Sequence, residues 1–278
     1  MKEHSSVYLA WQEPNTKEWH VVGMLKQYQE GFTFNYTVGA QASAKFIPFS
    51  GMENLAKTYV STELFPLFKN RLLSKNRPEY PRFIDWLGLA KENVSPISIL
   101  GRSGALRGTD TLQMFNRIDV NSDGSFEHIF FAHGLSHLAP SALDRVLSLK
   151  KGDLLCLCPD CQNSYDGNAI IIRANNPAEI VGYCPRFFTK YVGDFLRQNS
   201  SNISLYVEAL SKNAPANYQL MCTLKGKVSV REANTFMNQE EFQSITSLHD
   251  KSNKKIQRTD RSVTPFAFAK DHATSICR

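Results

Sequence analysis

Residues 151–186, KGDLLCLCPDCQNSYDGNAIIIRANNPAEIVGYCPR, decide how this chain is read. Cys156, Cys158 and Cys161 fall within six residues, and a polar run of Asn163, Tyr165, Asp166 and Asn168 follows. Two readings of the cysteines are open. With Cys184, His133 or His137 as a fourth ligand they could hold zinc, but the spacing is C-x-C-x-x-C rather than the paired C-x-x-C of zinc ribbons. In a strand, Cys156 and Cys158 share one face beside Leu154, where free cysteine behaves as a small apolar residue. The second reading is preferred, so no metal and no cofactor is expected. A nucleophilic role would need a basic partner for the thiol, and no Cys-His catalytic signature is present.

Around this stretch the chain reads as short elements. DLLCLC, NAIIIR, EIVGYC, FEHIFFAHGL and ISLYVEAL look like strands. PSALDRVLSLKKGD reads as a helix, with Ser141 and Asp144 spaced as a capping box and Gly152 as its stop. PRFFTKYVGDFLRQN reads as an amphipathic helix starting near Pro185. Phe187, Tyr191 and Phe195 recur four apart in it, as do Phe188, Val192 and Leu196.

Nearer the N-terminus, VYLAWQ, EWHVVGMLKQ and GFTFNYTV alternate in the manner of strands. STELFPLFKNRLLSK reads as a helix with Leu64, Leu67, Phe68 and Leu72 on one face, and PRFIDWLGL as a second helix ending at Gly88. REANTFMNQEEFQSI reads as a helix beyond residue 230, followed by a polar stretch.

The chain has 278 residues, 42% hydrophobic and 21% charged, with a net charge of +6. No apolar run is long enough for a bilayer span, and the first residues lack a signal-peptide pattern. A cytoplasmic location is expected, where thiols stay reduced. The charge is uneven. Residues 119–222 carry 8 Lys and Arg against 10 Asp and Glu, while residues 223–278 carry 10 against 6. The middle therefore argues against a broad basic nucleic-acid groove.

The stretch Gly152-Asp153, Asn163-x-Tyr165-Asp166-x-Asn168-Ala169, Gly182-Tyr183 resembles the HIRAN domain, a small β-barrel with helices. The likeness covers roughly residues 126–215. In a fork-remodelling helicase this module holds the 3′ end of single-stranded DNA. The resemblance implies base stacking by Tyr165, acceptance by Asp166 of a hydrogen bond from a terminal 3′-hydroxyl, and a phosphate contact from Arg186. Ser136 and His137 stand where that helicase module has an arginine and a stacking tyrosine; His137 can still stack. The residues themselves allow a blander reading, since Asn163, Asp166 and Asn168 suit a tight turn. Tyr165, however, has no evident core partner. Lys190 falls on the same helix stripe as Arg186 and Arg197. The candidate DNA-binding set is therefore His137, Asn163, Tyr165, Asp166, Asn168, Tyr183, Arg186 and Lys190, with no catalytic residue.

Residues 7–117 resemble, more weakly, the N-terminal region of HipA-type toxin kinases, through VGML, GFTFNYT, FIPFS, LFPLFKNRLLS, WLGL and ILGRSGALRGTDTLQMF. That likeness implies a small β-subdomain with helices that docks a protein. No kinase core follows: neither an H-x-x-D-x-x-x-x-N loop nor a Walker G-x-x-x-x-G-K-[ST] is present. GRSGALRG is glycine-rich, but a turn is the simpler reading.

The expectation is an α+β protein. Residues 1–118 would be a docking domain, 119–222 a HIRAN-like DNA-binding domain joined through a linker-like DVNSDGS, and 223–278 a basic, partly flexible segment. Together they would form a non-enzymatic adaptor for DNA, single-stranded or at 3′ ends, and for a partner protein. The alternatives are an antitoxin-like regulator that does not bind DNA, and an enzyme with zinc or an unrecognised nuclease site.

Overall fold

The computed structural model describes residues 3–199, 202–229 and 239–247. Two antiparallel sheets with helices against them make up the mixed α/β fold. The first sheet contains β1 (Glu3–Gln12), β2 (Trp19–Tyr28), β3 (Gly31–Tyr36), β4 (Tyr59–Ser61) and, after α1 (Pro66–Lys69), α2 (Tyr80–Trp86) and α3 (Pro96–Ser103), β5 (Leu112–Phe115). Its strand order is β4-β3-β2-β1-β5.

The helices here differ from expectation. STELFPLFKNRLLSK yields a single α-helical turn, because Tyr59–Ser61 pairs with β3 as β4 and Pro66 fixes the start. Phe68 is fully buried, while Leu64, Leu67 and Leu72 pack at the edge of the same core. GRSGALRG is the end of α3 and its cap: Gly104 takes a left-handed conformation at φ 73° that glycine adopts without penalty. The start of α3 is a capping box, Ser95 and Ser98, with Pro96 in the first turn.

The second sheet contains β6 (Ser125–Phe131), then after α4 (Pro140–Ser148) β7 (Leu154–Pro159), β8 (Ile170–Ala174) and β9 (Glu179–Tyr183), and after α5 (Arg186–Asn199) β10 (Ile203–Leu210) and β11 (Leu220–Lys227). The order is β6-β11-β10-β7-β8-β9. The expected barrel is not closed. A single bridge, His133 to Tyr183, joins the chain after β6 to the far edge strand β9. Position 222 lies inside β11, which is central in the sheet, so the second unit runs past the expected end. α4 starts on Pro140 with Ala139 as cap and no side-chain bond, in place of the expected Ser141–Asp144 box.

DVNSDGS is a tight turn rather than a linker. Asn121 N donates to Ser125 O at 2.8 Å, and Val228 N to Gly124 O at 2.9 Å. The expected helix at 231–245 lies largely outside the described residues. Of the basic segment, residues 239–247 pack on the first sheet: Val38 N donates to Gln243 O at 3.0 Å, and Phe242 is buried.

One buried cluster spans both sheets. It includes Tyr8, Ala10, Val21 and Phe115 from the first, and Phe130, Phe187, Phe188 and Tyr191 from the second. Phe115 and Phe187 stack with centroids 4.4 Å apart. Residues 1–118 and 119–222 are thus separate in sheet topology but share a core.

Candidate nucleic-acid interface

The Asn-Tyr-Asp stretch forms the loop between β7 and β8, and its side chains tie its own backbone. Asn163 Oδ1 accepts from Tyr165 N and Asp166 N, each at 3.0 Å, and Asn163 Nδ2 donates to Asp160 Oδ2 at 2.9 Å. Asp166 Oδ1 accepts from Asn168 N at 3.0 Å. These are the local side-chain-to-backbone bonds that make Asn and Asp turn residues. From the start of α5, Arg186 Nε donates to Asp166 Oδ2 at 3.2 Å, and its Nη2 donates to the Tyr165 carbonyl.

Asn163, Asp166 and Arg186 therefore tie the loop to itself and to α5, yet the Tyr165 side chain takes no part in this: the residue is 85% exposed. An aromatic ring held out on a rigid loop has no packing role, and stacking on a base is what such a ring does well.

Below Tyr165 lies a groove of about 900 Å³. His137, Asn163, Tyr165, Asp166, Tyr183 and Arg186 line it, so six of the eight expected residues come together. Two glycines shape it. Gly134, at φ 78°, turns the chain into the short helix Leu135–His137, and a Cβ there would lie 3.2 Å from the Tyr183 ring. A Cβ on Gly182 would lie 3.1 Å from Ala132 Cβ and from His133 O, the place where the bridge between the sheet edges crosses. Burial, with the Asp160 carboxylate beside it, pushes the Tyr183 phenol up, so it stays a neutral donor on the groove wall.

Asn168 and Lys190 do not line this groove; they open on a neighbouring hollow. Arg197 turns to Asp194 and leaves the expected stripe. His133, Leu138 and Glu179 line the groove without having been expected there. The sequence signal for His133 is the AHGLSHL stretch, where it also offers a zinc ligand.

The cysteines take the outer face of β7. Leu155 is buried, whereas Leu154 is exposed and Cys156 and Cys158 are half-buried on its side. Their expected apolar surroundings are thus only partial, and Asn175 Nδ2 donates to Cys156 Sγ at 3.2 Å. Among the described residues, no group of three or more His, Cys, Asp or Glu is arranged to hold a metal ion. Also among them, no helix is long and apolar enough to cross a membrane.

The second sheet with α4 and α5 is the part that other proteins share. Residues 125–229 match the family model of the HIRAN domain. The crystal structure of the HIRAN domain of human HLTF is similar at 18% identity, covering 44% of this chain and 91% of that one, with a TM-score of 0.32. A protein from Lactobacillus plantarum is similar at 18% identity, covering 37% of this chain and 97% of that one, with a TM-score of 0.30. No curated protein matches the sequence. The family match leaves residues 1–124 outside it.

Proposed function

We propose that the groove under Tyr165 binds single-stranded DNA at a 3′ end, and that the protein is a binding adaptor rather than a catalyst. The observation that carries this is the exposed Tyr165 ring, fixed by its backbone over a groove that also presents Tyr183, His137 and Arg186. The HIRAN match at residues 125–229 supports it. Residues 1–118 would be the docking side, in line with their resemblance to the HipA-type N-terminal region. The partner would be a toxin kinase or a defence or repair enzyme.

Tyr165→Ala tests the stacking role. Loss of one stacked base is worth about 1–3 kcal/mol, roughly ten- to hundred-fold in affinity. With the side chain exposed, the melting temperature should not move. A strand titration that gives equal affinity for wild type and variant overturns the groove assignment.

Asp166 needs a subtler replacement, because Asp166→Ala also removes the acceptor for Asn168 N. Asp166→Asn keeps an acceptor oxygen and drops the charge. A carboxylate beside a terminal hydroxyl accepts its hydrogen bond but repels a terminal phosphate. Wild type should therefore prefer 3′-hydroxyl over 3′-phosphate strands, and Asp166→Asn should lose that preference. If wild type binds both ends equally, Asp166 serves the turn alone and end recognition is wrong.

A further inference from the structure

Tyr165, Asp166 and Arg186 form a ridge with a hollow on each side. The second hollow, of about 460 Å³, opens between the two sheets. Asn168 and Lys190 stand on one wall, and Lys17, Trp19 and His20, from the β1–β2 turn and the start of β2, on the other. Nothing in the HIRAN match reaches this second wall, since the match begins at residue 125.

Three features give the hollow a chemistry. Lys17 and Lys190 are exposed, and neither makes an ion pair among the described residues. Three carboxylates stand at the hollow: Asp166, which is paired with Arg186, Glu241, which accepts from the Tyr191 hydroxyl and keeps its charge, and Glu18. Rings also line it: Tyr165 from the ridge, His20, which stacks on Trp11 at 6.0 Å, and Trp19. Cations interleaved with aromatic rings along a groove are what single strands bind without regard to sequence.

The two walls are held together. Ala10 and Val21, at the hollow on the first sheet, belong to the same buried cluster as Phe187 and Tyr191 of α5. The hollow is thus a fixed feature of the fold and needs no closing motion.

We infer that the second hollow holds the strand just upstream of its last two nucleotides, with Lys17 and Lys190 on the phosphates, so that the first sheet supplies half of the strand path. This rests on the reading of the groove as the site of the 3′ end. A strand whose last base lies on Tyr165 crosses the ridge to leave the groove. On the far side it meets unpaired ammonium groups rather than open solvent.

Lys17 is the discriminating residue. Its backbone is left-handed at φ 61°, a conformation that asparagine adopts more readily than lysine. Lys17→Asn removes the charge without backbone cost, and Lys17→Glu reverses it. The probes are a labelled dinucleotide with a free 3′-hydroxyl and a labelled strand of about six nucleotides, within the range one small module covers. Lys17→Glu should weaken the longer strand about ten-fold, and Lys17→Asn should reduce the magnitude of its salt slope by about 0.7. Neither should change dinucleotide binding. Tyr165→Ala should weaken both probes. If Lys17→Glu leaves the longer strand unaffected while Tyr165→Ala still weakens both, the second hollow is overturned and the groove stands. If wild type binds neither probe, the groove reading fails and this inference fails with it.

Discussion

Phe115→Ala is expected to destabilise the protein by about 3–5 kcal/mol, the usual cost of emptying an aromatic core site. Phe115 is 2% exposed and lies in β5, at the edge of the first sheet. Its ring stacks on Phe187 at 4.4 Å, meets Phe188 edge-on at 5.7 Å, and lies 5.9 Å from Tyr8 and 6.4 Å from Phe242. One side chain thus touches the first sheet, the second unit through α5, and the returning 239–247 segment. The melting temperature should fall by roughly 6–20 °C for a chain of this size.

The form of the transition matters as much as its position. A core shared across the sheets couples their unfolding, so wild type and variant should each melt in one step. Near-ultraviolet and far-ultraviolet signals should then coincide. Two separate transitions, only one of them moved by Phe115→Ala, would mean that 1–118 and 119–222 fold independently despite the contact. Proteolysis gives a second view: with Asp119–Ser125 tied into a turn, that stretch should resist early cutting.

The sequence was most legible where physics is local. α5 followed from the four-residue spacing of Phe187, Tyr191 and Phe195, all of them buried. β7, β8 and β9 fell where their apolar runs were, and the Asn163–Asn168 loop followed from side chains that bond within five residues. Errors came where a tertiary partner decides. β11 went unread because LMCTLKGK is buried at one end and polar at the other; its place between β6 and β10 makes it a strand. α3 was hidden by its glycines, although Ser95, Pro96 and Ser98 signalled its start. Six of the residues that line the groove were legible through the motif and the stretches beside it. The second hollow was not, because Lys17 and Lys190 are brought together only by packing between the sheets.

Acid should unfold this protein earlier than its carboxylates alone would. His128, in β6, is 7% exposed and packs edge-on against Phe188 at 4.6 Å. Burial, with the Arg102 guanidinium adding to it, drops its pKa from 6.5 to about 3. The folded state therefore holds His128 neutral, while the unfolded chain takes up a proton below pH 6.5. Stability is full above that value and is lost as pH falls from 6.5 towards 3, at about 1.4 kcal/mol per unit and on the order of 5 kcal/mol in total. His133, also lowered by burial, to about 4, adds to the same limb. Glu13 is separable. The Thr16 backbone N–H, with the Thr16 hydroxyl, holds its carboxyl down to about 2, so its contribution is lost only between about 4.5 and 2. His128→Phe keeps the aromatic packing and removes the proton site. Denaturant midpoints measured from pH 7.5 down to pH 4.5 should show a shallower acid slope in the variant, by about 1.4 kcal/mol per unit at the low end. Parallel slopes for wild type and variant would show that His128 is not held neutral, and that the space around it admits water or a counter-charge.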